Sequence, residues 1–277
     1  MYTLPSKARF SSSVGNGLFN SASLDLHFAK TKSLVDATTG SNLVDFTRAS
    51  SGTYVGSDGL IKTATTNEPR FDHDPVTGES LGLLVEESRT NLLTYSEDFE
   101  NVAWQTTNPG EVTLIAGVSD PAGGNNATTL YHDSGAGDTG WLRRIISGTS
   151  GQPYTLSFWA RRRIGTGDLI AVVGNNVNQT INGVTSNWQR FSIVNTPTSS
   201  LVRSYLKVDS PGDQFDIWGA QLEAGSFSTS YIPTTSSTVT RAADVASISG
   251  SNFSSWYRQD EGTVLADASV AYSAISS

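Results

Sequence analysis

Apolar and polar residues alternate at period two along much of this chain. The pattern is sharpest in Tyr154–Arg161 (YTLSFWAR) and in Trp188–Val194 (WQRFSIV). Successive side chains of a strand point to opposite faces, so each stretch predicts a strand with one buried face. In the first, Tyr154, Leu156, Phe158 and Ala160 share the expected core face, and Thr155, Ser157, Trp159 and Arg161 share the other. Ala22–Phe28 (ASLDLHF) alternates in the same way, Arg241–Ile248 predicts one more strand, and Glu261–Leu265 begins another. Two hairpins are written in turn chemistry. Thr53–Val55 and Leu60-Ile61 flank Gly56-Ser57-Asp58-Gly59, where Asp-Gly supplies the positive φ that a tight turn needs. Pro69–Asp72 and Leu81–Val85 flank a turn at Asp74–Gly78. No stretch of about 12 residues carries the 3.6-residue apolar period of an amphipathic helix. The expected fold is all-β, an antiparallel β-sandwich with a hairpin-rich region before it and extra strands after it.

Composition agrees. Charged residues make up only 16% of 277, and Gly, Ser, Thr and Asn are abundant, a balance that favours short strands and turns over long helices. Four segments are expected. Residues 1–20 are Ser/Gly-rich with scattered aromatics and cannot form a core alone, so they are a disordered tail or an arm that orders against a partner surface. Residues 21–89 hold the hairpins, 90–234 the sandwich, and 235–277 a linker with further strands. Those last strands either begin a further domain of a longer protein or complete a sheet made by 21–89. In the second case the sandwich is inserted between two halves of an outer domain.

The net charge of −8 and pI of about 4.8 disfavour nucleic acid as a partner. The one basic cluster, Arg161-Arg162-Arg163, reads as a solvated strand end. With no cysteine there is neither a disulfide framework nor a thiolate site. The polar start Met1–Arg9 lacks the apolar run of a secretory signal, and no stretch reaches the roughly 20 apolar residues of a membrane span, so synthesis in a cytoplasm and no membrane insertion are expected.

The run FTRASSGTYVGSDGLIKTATTNEPRFDHDPVTGESLGLLVEESRTNLL, with TRAADVASISG at Thr240–Gly250, resembles a segment of tail-fibre, head-fibre and other virion proteins of tailed bacteriophages. The stretch between, with NLL…FE…W, YTLSFWAR, WQRFSI and FDIWGAQLE, resembles carbohydrate-binding modules of the galactose-binding-like jelly-roll type. The first resemblance implies a virion structural protein, a fibre or adaptor component made in the host cytoplasm. It implies attachment to other virion proteins through the N-terminal arm, and a homotrimer, since such fibres usually are. The second implies a jelly roll that binds host-surface glycan on a concave face or through end loops. The alternative is a soluble lectin-like module of a polysaccharide-processing system. It also implies a structural calcium near the first and last strands, where Glu97, Asp98 and Glu223 fall.

The residues themselves point to binding rather than catalysis. His27, His73 and His132 have no metal-ligand spacing, and no G-x-S-x-G elbow, Walker loop or dinucleotide fingerprint is present. Carboxylate pairs exist, but 26 acidic residues make chance pairs certain. No enzyme and no organic cofactor are therefore expected. Sugar rings stack an apolar face on Trp or Tyr while polar neighbours bond their hydroxyls. Trp159 with Arg161 is one candidate platform, unless Trp159 packs beneath a loop or another subunit. Trp141 with Arg143, in GWLRRII, is the second. Trp104 and Trp188 are expected in the core, and Trp218 faces the sandwich or a neighbour.

Overall fold

In a computed structural model of the chain, the residues described are 7–10, 22–106, 111–133, 141–174 and 178–269. Among them lie twenty strands and two helices of four and five residues, Phe28–Thr31 and Gly250–Ser254, and no helix is long and apolar enough to cross a membrane. The chain is all-β. It divides into two compact units, with the cuts falling between Ser88 and Arg89 and again between Thr240 and Arg241.

The first unit contains β1 (Lys7–Phe10), β2 (Asp45–Thr47), β3 (Gly52–Val55), β4 (Ile61–Ala64), β5 (Arg70–His73) and β6 (Ser80–Glu86). Both hairpins expected from turn chemistry are present. β3 pairs with β4, with Val55 opposite Ile61 and Gly59 at φ +76°. β5 pairs with β6 across a turn in which Asp74 Oδ1 accepts the amides of Val76 and Thr77 and Gly78 takes φ +71°. The sheet order is completed by β1 on the other edge of β6. Residues 1–6 and 11–20 of the expected arm lie outside the described residues.

Ala22–Phe28 is not a strand, although it alternates. Its backbone has been taken up by the Asp36 loop: Asp25 N–H donates to Asp36 Oδ1 at 2.7 Å and Ala37 N–H donates to the Asp25 carbonyl at 2.7 Å. Alternation without a partner strand does not make a sheet. The Asp36 carboxylate, in a residue with no exposed surface, also accepts the amides of Thr38 and Thr39 and the Thr39 hydroxyl. Burial pushes its pKa up, but these hydrogen bonds outweigh it and hold the pKa below the usual carboxylate value. A folded-state pKa below the unfolded one contributes stability that is present above the unfolded pKa and lost as pH falls through the folded one. Asp36→Asn is therefore expected to cost about 1–3 kcal/mol at neutral pH. It should also flatten the acid limb of a stability-versus-pH curve measured by urea unfolding; an unchanged acid limb would contradict this account.

The residues after the sandwich return to the first unit. β19 (Val245–Ser247) pairs with β2, Val245 opposite Thr47, and β20 (Ala268–Ser269) pairs with β1. The strand expected from Glu261 to Leu265 does not form: Val264 is 88% exposed, and among the described residues no strand pairs with this stretch.

The resembling motif run now has a physical reading. Arg48 (from FTRAS), Arg70 (EPRF), Glu86 (VEES) and Arg241 with Asp244 (TRAAD) converge in one buried ion cluster whose side chains are 0–1% exposed. Asp244 takes Arg48 Nη1 at 3.0 Å on Oδ1, and Arg70 Nη2 and the Glu86 amide on Oδ2. Glu86 takes Arg70 at 2.9 Å and Arg241 at 3.5 Å. Backbone carbonyls supply further acceptors, from Ser50 and Thr65 to Arg48, Thr53 to Arg70, and Glu87 to Arg241. Buried charges persist only when so paired. This cluster ties the two chain segments of the first unit together across the 152 intervening residues Arg89–Thr240.

The second unit is the sandwich. Its strands are β7 (Arg89–Asn91), β8 (Gln105–Thr106), β9 (Val112–Val118), β10 (Ala127–His132), β11 (Leu142–Ser147), β12 (Tyr154–Ile164), β13 (Leu169–Gly174), β14 (Gln179–Ile181), β15 (Gln189–Asn195), β16 (Leu201–Val208), β17 (Gln214–Ala224) and β18 (Val239–Arg241). Two five-stranded sheets, ordered β15-β12-β17-β10-β9 and β14-β13-β16-β11-β8, are antiparallel throughout. Their inward faces supply one core: Tyr154, Leu156, Phe158, Ala160, Phe215 and Ile217 from the first, and Leu142, Leu169, Val173, Val202 and Leu206 from the second. Trp104 joins it, its ring 5.0 Å from that of Phe99. Trp188 does not; it is half-buried beneath the Arg161 guanidinium.

Asn91 of the TNLL motif stitches β17 to the segment after it. Its amide donates to the carbonyls of Ala220 and Ile232, and its oxygen accepts the amides of Leu93 and Leu222. Gln221 and Glu223, from the GAQLE motif, hold the same segment through Ile232 N–H, the Ser230 carbonyl and both donors of Thr229. These motifs are latches, not ligand groups.

Candidate functional site

The second sheet turns one face to the core and one outward, and the outward face is where aromatic and basic side chains gather. Alternation puts Leu142, Val202, Leu206 and Val208 inward, which sends Arg143, Arg203, Tyr205 and Lys207 out. Register aligns them: Tyr205 lies opposite Arg143 on one side and Val172 on the other, and Arg143 lies opposite Gln105. Trp141, just before β11, sets its ring 5.7 Å from that of Tyr205 at 55°, and the Lys207 ammonium lies 5.6 Å from the Trp141 ring centre. Arg143 Nε donates to Gln105 Oε1 at 3.3 Å. Trp141, Tyr205, Arg143 and Arg203 are all half-buried, whereas Lys207 is 5% exposed and lies 3.6 Å from Asp209 Oδ1. The result is two angled aromatic rings with half-buried guanidiniums on the same sheet face, an arrangement that can stack a sugar ring and bond its oxygens. The sequence brought forward Trp141 and Arg143. It did not bring forward Tyr205 or Lys207, because only strand pairing places them beside Trp141.

Trp159 and Arg161, the other expected platform, are committed elsewhere. Trp159 is 7% exposed. Its ring packs edge-on against Trp218 (5.2 Å) and Tyr231 (5.4 Å), and the Arg190 guanidinium covers it at 4.5 Å. Arg190 itself is held by the Thr229 carbonyl and the Ser157 hydroxyl. The polar-looking face of β12 is thus roofed by the segment after β17, and Thr155 and Ser157 are buried with Trp159. Gly219 makes the close packing possible: it sits at the bulge between the Ser157 and Trp159 pairings, at φ +62°, where a Cβ would lie 3.0 Å from the Trp159 ring. Arg161 binds Asp216 at 2.8 Å, Arg163 binds the same carboxylate at 3.4 Å, and Arg162 lies over the Phe215 ring. Arg161 and Arg163 thus share one carboxylate in the last part of β12.

The three carboxylates considered for calcium do not act as a set. Glu223 is fully buried and spends both oxygens on Thr229, at 3.0 and 2.5 Å. Among the described residues no three His, Asp or Glu groups gather closely enough to hold a metal ion. Those residues do not fit a calcium site.

Glu97 and Asp98 instead line a cleft of about 690 Å³ together with Tyr95, Glu100, Asn126 and Thr128. Tyr95 sits at φ +54°, unusual for a bulky residue, and is fixed there by its amide on the Thr235 carbonyl and by Trp104 Nε1 on its own carbonyl. Glu97 accepts the Tyr231 hydroxyl at 3.0 Å and the Asn126 amide at 3.3 Å. Burial nevertheless holds its pKa above the usual carboxylate value, and burial with the Glu97 charge beside it lifts Tyr231 well above the normal phenol value.

No protein-family model matches the chain, and no curated protein matches it. Solved structures similar to it include several carbohydrate-binding modules. One is a CBM4 structure (16% identity, 49% of this chain and 94% of that chain, TM-score 0.35). Another is the CBM22-1 xylan-binding domain of Paenibacillus barcinonensis Xyn10C (14% identity, 50% of this chain and 92% of that chain, TM-score 0.35). The enzymatically active domain of bacteriophage CBA120 tailspike protein 4 is similar over less of its length (17% identity, 48% of this chain and 21% of that chain, TM-score 0.36). At such TM-scores these likenesses carry no argument about ligand, activity or partner.

Proposed function

We propose that this chain is a glycan-binding structural protein of a tailed-phage virion, a fibre or adaptor component whose sandwich holds host-surface sugar on the outward face of its second sheet. The observation that carries the binding part is the juxtaposition of the Trp141 and Tyr205 rings, with Arg143 in register beside Tyr205. The virion part rests on the motif run that the sequence shares in wording with phage proteins, whose charged residues make the buried clasp of the first unit. In this reading the chain assembles as a homotrimer, is made in the host cytoplasm and joins other virion proteins through residues 1–20. It binds glycan without cleaving it and uses no cofactor.

The test is a glycan array spanning neutral and acidic host-surface sugars, probed with the full chain. A bound glycan is expected to be recovered intact after long incubation, and an antibody to the chain is expected to label purified particles. Light scattering behind a sizing column should give three times the 29.4 kDa chain mass. A chain that binds no glycan overturns the binding reading; a monomer that labels no particle overturns the virion reading.

A further inference from the structure

We propose that the sugar held on the outward face of the second sheet is acidic: its carboxylate or phosphate sits on the Arg143 and Arg203 guanidiniums while one of its rings stacks on Trp141 and Tyr205. This deepens the binding reading above and rests on it.

Register decides which side chains share the face. β16 runs between β11 and β13, and in its pairing with β11 Arg203 lies opposite Ile145 and Tyr205 opposite Arg143. Arg143 and Arg203 are thus diagonal neighbours, a relation that sets two residues about 7–8 Å apart. That is close enough for two long side chains to meet on one anionic group.

Neither guanidinium is matched by a carboxylate. Arg143 donates to the neutral amide oxygen of Gln105 at 3.3 Å, and among the described residues Arg203 has no hydrogen bond or ion pair. Alternation leaves no Asp or Glu at the described outward positions of the five strands. Asp209, which follows β16, lies 3.6 Å from the Lys207 ammonium and so answers that charge. The contrast is with β12, where Arg161 and Arg163 share the Asp216 carboxylate. Arg143 and Arg203 are half-buried, so their charges are partly desolvated with no counter-ion to offset it. A ligand anion supplies that partner.

The background charge sharpens the choice. At −8 overall the chain repels anions except where cations stand unmatched. Two guanidiniums suit one acidic group and are too few for a polyphosphate backbone. A guanidinium fork fits carboxylate and phosphate alike, and the aromatic pair adds the stacking that makes the ligand a saccharide.

The probes are matched pairs: oligogalacturonate and its methyl ester, sialyllactose and lactose, and a phosphorylated mannose trisaccharide with its unphosphorylated form. In calorimetric titration of the full chain, the acidic member of at least one pair is expected to bind at least tenfold tighter than its neutral partner. The first two pairs against the third separate carboxylate from phosphate. Arg203→Gln is expected to weaken the acidic ligand about tenfold, and Arg143→Gln combined with it about 30-fold. Arg258→Gln, which removes the same charge from an exposed position in the first unit, should leave the affinity unchanged. Raising the ionic strength from about 0.01 to 0.15 M shortens the Debye length from about 30 to 8 Å and should weaken the acidic member more than the neutral one. No binding of any of these sugars, equal affinity within every pair, or an acid preference that survives the double glutamine variant would each overturn the proposal. Neutral sugars bound as tightly as acidic ones, and lost through Trp141→Ala, would overturn it while leaving the sheet-face reading standing; a blank glycan array would overturn both.

Discussion

Replacing Asp244 with alanine is expected to lower the stability of the first unit by about 3–5 kcal/mol, a large part of what a domain has. The reason is stoichiometric. Three buried guanidiniums share two carboxylates, and Asp244 touches all three: Arg48 at 3.0 Å, Arg70 in a short contact and Arg241 at 3.8 Å. Its loss leaves Arg48 with backbone carbonyls alone and also frees the Glu86 amide that Asp244 accepts. Arg241→Met should cost less, because Arg241 makes the longest ion contacts of the three, 3.5 Å to Glu86 and 3.8 Å to Asp244, and its removal brings cations and anions to parity. Hydrogen exchange read by mass spectrometry localises the effect. Peptides covering 45–86 and 241–247 should lose protection in the Asp244 variant, while the β12 and β17 peptides of the sandwich keep theirs. Unchanged protection in the first unit would mean that the cluster is not what holds it.

Trp141→Ala is expected to reduce the affinity for an array-identified glycan by about 10- to 100-fold, since an aromatic anchor is typically worth 2 kcal/mol or more and each 1.4 kcal/mol is tenfold. The chain should keep its unfolding midpoint, because Trp141 is half-buried outside the core. Trp159→Ala should behave in the opposite way. Removing a 7%-exposed ring from between Trp218, Tyr231 and Arg190 leaves a cavity, at a cost of about 3–5 kcal/mol. Any glycan affinity it lost would be lost with the fold. If Trp159→Ala removed binding at an unchanged midpoint and Trp141→Ala did not, the platform would be on the wrong sheet.

The contrast between these two tryptophans shows where sequence reading stops. Each has an arginine two residues on, and each belongs on a non-core face. What separates them is the segment after β17, which folds back over Trp159 through Gln221, Glu223 and Tyr231, while Trp141 stays half-buried. Nothing local to YTLSFWAR records that a roof arrives from residues 229–232. Tyr205 and Lys207 were missed for the same reason, since their place beside Trp141 is a matter of β11–β16 register.

By itself the sequence determined the elements whose causes are local. Period-two alternation gave β12 and β15 their inward faces, and Gly59 and Gly78 closed two hairpins at positive φ. Sparse charge and the missing helical period made the chain all-β. Tertiary structure alone decided what depends on distant neighbours: that Ala22–Phe28 and Glu261–Leu265 have no partner strand among the described residues, that Arg48, Arg70, Glu86, Arg241 and Asp244 are one buried cluster, and that Glu97 and Asp98 face a cleft while Glu223 is sealed by Thr229. The physical reason is range. Backbone preference and side-chain alternation act over a few residues, whereas burial and charge pairing act between whichever segments the sheets bring together.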